Sequence, residues 1–244
     1  MKLKKAGLSV LVVAASVCMS SCSLNLDFLD ADSSKEKLLG QDVIETAMKK
    51  YNDQNSGGYE VTNEETGELQ ESFVYMYDEV GMLAYLYKGL QEDGTYNIEF
   101  NSGYEMYFEE KGVGRRVKKS ESDFAVYNRD YARSDKTTAA VFFFGVDGVE
   151  NVSSDTKDGV TSYCYEYDPE ETEISIDGGK VEKFSSTYYF SGDSVMYYIQ
   201  TTSGTMDNGE SFAYSYRIRF IPSEDVTEIV NPIKVDETQD SSEE

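Results

Sequence analysis

Apolar and polar residues alternate along most of the chain from Tyr59 onward, which is the pattern of half-buried β-strands. In one such segment Tyr96, Ile98 and Phe100 share a side of the strand, with polar residues on the other side. Two more segments repeat the pattern, with these apolar sets: Tyr104, Met106 and Phe108, then Phe212, Tyr214, Tyr216, Ile218 and Phe220. The alternation therefore predicts a mainly β domain, and in its second half it predicts strands at residues 160–167, 185–190, 195–201 and 211–221.

Short turns that contain glycine separate the predicted strands. They begin at Glu65, Asp78, Glu92, Asn101, Asp177, Ser191 and Asp207. The last one contains an Asn-Gly pair, which suits a tight hairpin. Because short connections join antiparallel neighbours, the strands are expected to form an antiparallel sheet. Residues 72–77 and 82–87 are apolar on both sides, which predicts central strands covered on both faces.

One helix is predicted before the strands. Ser33 and Glu36 have the spacing of a capping box, and an apolar stripe follows at four-residue intervals. The stripe consists of Leu39, Val43, Ala47 and Tyr51. Gly40 disfavours the first turn, so the regular helix is expected to begin at Gln41 and to end before residues 55–58.

The N-terminal segment has the features of an export signal. Three lysines precede an uncharged run at residues 6–15, which is shorter than the roughly 20 apolar residues of a membrane span. Residues 19–22, Met-Ser-Ser-Cys, resemble the lipobox of bacterial lipoproteins, which implies lipidation of Cys22 and its exposure as the mature N-terminus. The alternative is an ordinary secretory signal that is cleaved near Ser21.

These features divide the chain into four parts. Residues 1–21 are predicted to be a lipoprotein signal peptide and residues 22–32 a flexible tether. Residues 33–235 are predicted to form a single antiparallel β domain with its N-terminal helix. Residues 236–244 are acidic and polar, and they are expected to be disordered.

The charge of the chain limits its partners. It has 46 acidic and 22 basic side chains, and its formal net charge is −24. Such a charge repels nucleic acid and anionic lipid head groups, so no nucleic-acid partner is expected. The basic cluster at residues 115–119 would point alternately to both faces of a strand. It is interpreted as solvated edge residues paired with acids, and an anion site is the alternative.

Histidine is absent from the sequence, which excludes Ser-His-Asp and Cys-His catalysis, the HExxH metalloproteases and the common catalytic zinc triads. No phosphate-binding loop of the GxxxxGK[ST] type occurs. Cys164 is interpreted as a small strand hydrophobe. No enzyme activity, cofactor or metal site is therefore expected. Paired-carboxylate glycoside hydrolysis is a distant third candidate after the two functions described below.

The order of lipidated cysteine, spacer, amphipathic helix and long antiparallel meander resembles the LolA-like and LppX-like family of lipoprotein carriers. The resemblance covers roughly residues 33–235. It implies a curved antiparallel sheet or half-barrel with the helix packed on its concave face. It also implies an apolar hollow that holds acyl chains. The 20 tyrosines depart from the aliphatic lining of such carriers, because a buried hydroxyl needs a partner.

The leading hypothesis is a membrane-tethered lipoprotein that binds a hydrophobic or amphipathic ligand between the sheet and the helix. Face periodicity predicts this lining: Leu39, Val43, Ala47, Tyr51, Tyr96, Ile98, Phe100, Tyr214, Tyr216 and Ile218. The alternative is an adhesin-like interaction module with a filled core and an exposed tyrosine patch. In both cases the chain is expected to be a monomer, anchored by lipid at the extracytoplasmic face of the cell membrane.

Overall fold

The protein is mainly β, with one α-helix in the part of the chain that the structure describes. The structure is a computed structural model, and it describes residues 37–79, 81–117, 142, 144–172 and 174–235. The signal segment, Cys22, the tether, the predicted capping box of Ser33 and Glu36, and the acidic tail lie outside these residues. The helix and strands are α1 (Gln41–Asn52), β1 (Ser56–Asn63), β2 (Leu69–Tyr77), β3 (Leu83–Leu90), β4 (Tyr96–Asn101), β5 (Met106–Glu110), β6 (Val113–Arg116), β7 (Val149–Lys157), β8 (Val160–Tyr167), β9 (Gly179–Ser191), β10 (Ser194–Met206) and β11 (Ser211–Ile221).

The strands form one antiparallel sheet in the order β6-β5-β4-β3-β2-β1-β11-β10-β9-β8-β7. Each of the two runs of the sheet is a meander of sequential neighbours, as the short turns predict. Contacts within the chain separate two compact units. Unit 1 contains residues 37–46 and 145–215, and unit 2 contains the described residues of 47–144 and 216–235. The two units are described separately below.

Local side-chain chemistry explains where α1 begins. Gly40 has a φ of 78°, a left-handed conformation that excludes it from a regular first turn. The Gln41 side chain accepts a hydrogen bond from the Leu38 amide at 2.9 Å, which satisfies a donor at the helix start. Asp42 lies in the first turn, and two lysines lie in the last turn, so both ends complement the helix dipole. The predicted start at Gln41 is confirmed.

In unit 2, α1 packs against a defined side of the sheet. We call this side the helix face of unit 2, and it carries Tyr59, Val61, Ile218 and Phe220, which are paired across β1 and β11. The Tyr51 ring lies 4.9 Å from the Phe220 ring, and Phe142 lies 4.6 Å from Phe220. Each such aromatic pair adds about 0.5–1.5 kcal/mol to the gain from burial. The opposite side of the sheet is called the reverse face of unit 2.

In unit 1, tyrosines of β8 hold the start of the helix. Tyr165 is fully buried, and its hydroxyl donates a hydrogen bond to the Leu39 carbonyl at 2.6 Å. Two residues later, Tyr167 donates to the Gly145 carbonyl at 3.2 Å. Because backbone carbonyls satisfy these hydroxyls, the rings can be buried without the cost of an unpaired polar group. Many of the tyrosines are therefore core residues.

The last strand of the long meander in unit 2, β6, has a covered edge. Val235 forms a parallel bridge with Gly114, so the chain after β11 protects an edge that could pair with another molecule. Arg115 lies over the Phe108 ring at 5.3 Å, and Arg116 forms an ion pair with Glu105. The two arginines are consecutive in a strand and point to opposite faces, as the sequence predicts for this basic cluster.

Candidate functional site

The predicted lining residues of unit 2 fall on both faces of its sheet. Tyr216 and Ile218 lie on the helix face, together with Phe220, which Tyr51 contacts. The pairing register from β1 to β4 places Ile98 opposite Lys88, Lys88 opposite Ser72, and Ser72 opposite Glu60. These paired residues lie on the reverse face. Tyr96, Ile98 and Phe100 are therefore not brought together with Tyr51, Tyr216 and Ile218.

The other members of the predicted lining are located as follows. Ala47 and Ile218 are buried, and their surroundings are those of a packed core. In unit 1, Val43 and Tyr214 are half-buried, and Leu39 is 53% exposed. The described contacts of this set are thus with protein side chains or solvent.

A row of polar side chains crosses the helix face of unit 2 from β2 to β4. Glu71 pairs with Val61 on one side and with Gly89 on the other, and Gly89 pairs with Asn97. Glu71 is only 3% exposed, and its carboxylate accepts a hydrogen bond from the Tyr59 hydroxyl. Residues paired directly across a sheet point to the same side. Glu71 and Asn97 therefore face the same space, with no side chain on the strand between them.

A tyrosine hydroxyl and a bare amide oxygen border that space. A Cβ atom added to Gly89 would lie 2.7 Å from the Tyr87 hydroxyl, so this hydroxyl sits over the glycine. The Asn97 Oδ1 atom is buried and has no hydrogen-bond partner among the described residues. A buried acceptor that receives no hydrogen bond lowers the stability of the fold and is uncommon in proteins. We call Tyr59, Glu71, Tyr87, Gly89 and Asn97 the polar row.

The electrostatics of the polar row disfavour a bare negative charge. Burial raises the pKa of Glu71, and the hydrogen bond from Tyr59 only partly opposes this effect. Burial, together with the nearby Glu71 and Glu99 carboxylates, also raises the pKa of Tyr87. No ion pair with Glu71 is found within the described ranges. The carboxylate therefore has the desolvation cost of a buried charge without a cation to offset it.

Aromatic rings surround the polar row on the helix face. The Phe73 ring lies 5.9 Å from Tyr59, 6.0 Å from Tyr75 and 5.6 Å from Tyr85. Tyr75 and Tyr85 are buried, whereas Tyr59, Phe73 and Tyr87 are half-buried. The half-buried rings border Glu71, so an apolar surface and hydrogen-bond acceptors adjoin. This arrangement suits a molecule with one apolar part and one polar part.

The sequence marks Glu71 as unusual, although a list of the apolar residues on each strand face leaves it out. Glu71 has the same phase as Phe73, Tyr75 and Tyr77, which are spaced two residues apart along β2. A carboxylate on the apolar side of a strand is the informative exception to the alternating pattern, because buried acids are rarely left unpaired. Asn97 has no such signal, since its position on the helix face depends on the register of three strands.

Replacement of Glu71 by glutamine is expected to stabilise the protein at about pH 7. The raised pKa means that the folded state favours the neutral carboxyl, so the wild type loses stability as pH rises through that pKa. The glutamine cannot ionise, so its advantage should shrink as the pH falls to about 4. Urea unfolding of both proteins at the two pH values measures the difference. Replacement of the exposed Glu110 by glutamine is the control, with an expected change within about 0.5 kcal/mol.

A concavity lies in unit 1, outside the polar row. Its volume is about 410 Å³, and Pro169, Ile174 and Val181 contribute its apolar lining. An exposed ion pair between Lys180 and Glu170, at 3.4 Å, lies at the same site. Exposed pairs of this kind are worth little. No buried polar group points to a ligand there, so the polar row is the stronger candidate among the residues described.

Neither a metal-binding cluster nor a membrane-spanning helix occurs among the described residues. No group of three or more histidine, cysteine, aspartate or glutamate side chains there could hold a metal ion. None of the described helices has the length and apolar character needed to cross a bilayer. Cys164 is half-buried and is not in a disulfide.

Neither a protein-family profile nor a curated protein sequence matches this chain. Among solved structures, the crystal structure of LprF from Mycobacterium bovis is similar to it, with a TM-score of 0.42 and 13% sequence identity. The alignment covers 80% of this chain and 97% of the LprF chain. A likeness of this extent assigns neither a family nor a ligand to the protein.

Proposed function

We propose that this protein is a membrane-tethered exported lipoprotein that binds an amphipathic molecule on the helix face of unit 2. The observation that carries the proposal is the polar row. A buried carboxylate and an unpartnered buried amide oxygen lie beside half-buried aromatic rings. The rings would hold the apolar part of the ligand, and the polar row would hold its head group.

A purely structural role explains the polar row less well. Burial of a carboxylate is unfavourable, and an apolar side chain of similar volume at such a site is often neutral or stabilising. The Asn97 Oδ1 atom adds the cost of an unmade hydrogen bond. Residues that cost stability in this way are characteristic of functional sites, where binding supplies the missing interactions.

The alternative, an interaction module with an exposed tyrosine patch, has less support. The exposed large apolar side chains among the described residues are Leu39, Tyr104, Val113, Met196 and Val230. Only one of them is aromatic, and scattered exposed hydrophobic residues are normal on a soluble domain. A continuous aromatic patch would instead mark a docking surface.

The cellular location is part of the same proposal. Acyl chains on Cys22 would hold the domain at the extracytoplasmic side of the cell membrane, since two or more chains on one residue give a stable anchor. The strong negative charge of the chain does not favour adsorption to anionic head groups. The tether therefore retains the protein, and the β domain remains available to bind its ligand as a monomer.

Mass spectrometry of organic extracts tests the proposed function. Protein purified from its native membrane is expected to release about one equivalent of an amphipathic molecule. Phe73→Ala removes a half-buried ring beside Glu71 and should lower occupancy about tenfold, which corresponds to ~1.4 kcal/mol. Val74→Ala, on the reverse face of the same strand, is the matched control and should keep the ligand. Absence of a stoichiometric molecule, or equal loss from both variants, would contradict the proposal.

A further inference from the structure

We infer that the head group of the ligand is a primary ammonium group, which donates hydrogen bonds to Glu71 and Asn97. The inference rests on the proposed function, because it names the chemistry of the ligand at that same site. It follows from the balance of donors and acceptors in the polar row, from the missing counter-charge, and from the absence of a side chain at Gly89, between Glu71 and Asn97. Each of these three observations is taken in turn.

Acceptors outnumber donors in the polar row. An ionised carboxylate offers about four lone-pair sites and an amide oxygen two. Against these stand the hydrogen bond that the Tyr59 hydroxyl donates to Glu71 and the single donor of the Tyr87 hydroxyl. The Asn97 Oδ1 atom receives no hydrogen bond from the described residues. A ligand that completes the row must therefore donate. Sulfate, phosphate and carboxylate groups only accept when they are ionised, so they would leave these oxygens unsatisfied.

The charge of the row also selects a cation. Glu71 is almost fully buried, and hydrogen bonding to Tyr59 is its only described stabilising contact. A cation beside it would offset the desolvation of the carboxylate, because charges interact more strongly in a low-dielectric site. An ammonium nitrogen is compact and carries three donors. It can satisfy Glu71 and Asn97 together, which a quaternary ammonium without N–H groups cannot do.

Gly89 places no side chain of its own between Glu71 and Asn97, and the Tyr87 hydroxyl lies over it. Strands about 4.8 Å apart place the Cα atoms of Glu71 and Asn97 roughly 10 Å from each other, across Gly89. Both side chains project to the same side of the sheet. One ammonium nitrogen between them can donate a hydrogen bond of about 2.9 Å to each. A methyl group on Gly89 would displace the Tyr87 hydroxyl. Gly89→Ala is therefore a second way to disturb the site, which leaves Glu71 unchanged.

Calorimetric titration with single-chain probes tests the inference. Dodecylammonium, dodecyltrimethylammonium and dodecyl sulfate share one apolar chain and differ in the head group. They are added below their micelle-forming concentrations, at roughly 0.5 M salt, where the Debye length is below ~8 Å and general attraction to an acidic protein is screened. Dodecylammonium should bind the wild type about tenfold more tightly than either other probe.

The variants then separate the head-group inference from the proposed function. Glu71→Gln and Gly89→Ala should each weaken dodecylammonium binding about tenfold, and Glu109→Gln, on the reverse face, should leave it unchanged. Near-ultraviolet circular dichroism checks that each variant is folded. If all three probes bind the wild type equally, and Phe73→Ala weakens all of them, the head-group inference is overturned and the proposed function stands. If no probe binds the wild type, both are overturned.

Discussion

Replacement of Phe220 by alanine is expected to lower the free energy of unfolding by about 3–5 kcal/mol. Phe220 is 4% exposed, and it contacts both Tyr51 of α1 and Phe142. Truncation would leave a cavity at the point where the helix meets the sheet of unit 2. Urea unfolding, followed by far-ultraviolet circular dichroism, measures the loss as a lower midpoint with an unchanged slope.

The control for this prediction is Val230→Ala in the same unit. Val230 is 62% exposed, so its truncation should change the free energy of unfolding by no more than about 0.5 kcal/mol. A loss below about 1 kcal/mol for Phe220→Ala would mean that the Tyr51, Phe142 and Phe220 rings do not form a packed cluster. Equal losses for the two variants would lead to the same conclusion.

Replacement of Cys22 by serine is expected to release the protein completely from the membrane. A serine cannot carry the acyl chains that we propose as the anchor of the mature N-terminus. Fractionation of cells that express the full chain, followed by immunoblotting, measures the distribution. The wild type should sediment with membranes, whereas Cys22→Ser should appear in the soluble extracytoplasmic fraction or the medium.

Cys18 provides the matched control for this experiment. It lies four residues before Cys22 and follows the bulky Val17, so it does not fit the small-residue context of a lipidated cysteine. Cys18→Ser should therefore remain with the membranes. Retention of Cys22→Ser with the membranes would contradict anchoring through lipid on Cys22. Release of the wild type together with both variants would favour an ordinary secretory signal that is cleaved near Ser21.

Much of the local structure follows from the sequence, because period and turn chemistry act over short distances. The helix begins at Gln41, and two strands, Val160–Tyr167 and Ser211–Ile221, have the bounds that alternation predicts. Gly209, in the predicted hairpin of residues 207–209, has a φ of 84°, as a turn between antiparallel strands requires. The mainly β, antiparallel fold class is confirmed.

Other strand bounds are less accurate. Strand β9 begins at Gly179 and β10 continues to Met206, several residues beyond the alternating cores at residues 185–190 and 195–201. The added residues are mostly polar, and pairing with a neighbouring strand holds them in place. Hydrophobic periodicity carries no information about strand pairing, so the strands predicted from it are shorter than β9 and β10.

Alternation cannot predict which of the two sides of the sheet each set of residues faces. Each strand shows which residues share a side, but the choice between the two sides of the sheet depends on the pairing register. Tyr96, Ile98 and Phe100 form a face, as predicted, yet Ile98 pairs with Lys88 on the reverse face of unit 2. The same register brings Asn97 to the side of Glu71, so the residues that look polar and exposed in β4 belong to the candidate site.

The tyrosines illustrate the limit of composition as a guide to function. Their number could indicate a binding surface, but Tyr165 and Tyr167 are buried and donate to backbone carbonyls of unit 1. Whether such a partner lies within reach depends on tertiary structure. Tyr59 and Tyr87 differ from them, because their hydroxyls adjoin a buried carboxylate on the helix face of unit 2.

The late position of β11 in the chain has a consequence for biosynthesis. Residues 211–215 belong to unit 1 and residues 216–221 to unit 2, so neither unit has all its parts until this strand has been made. Glu60 and Arg219, which form an ion pair between β1 and β11, are 159 positions apart. Pairing over such a separation is slow. We therefore expect the sheet to close late, only after nearly the whole chain has been synthesised.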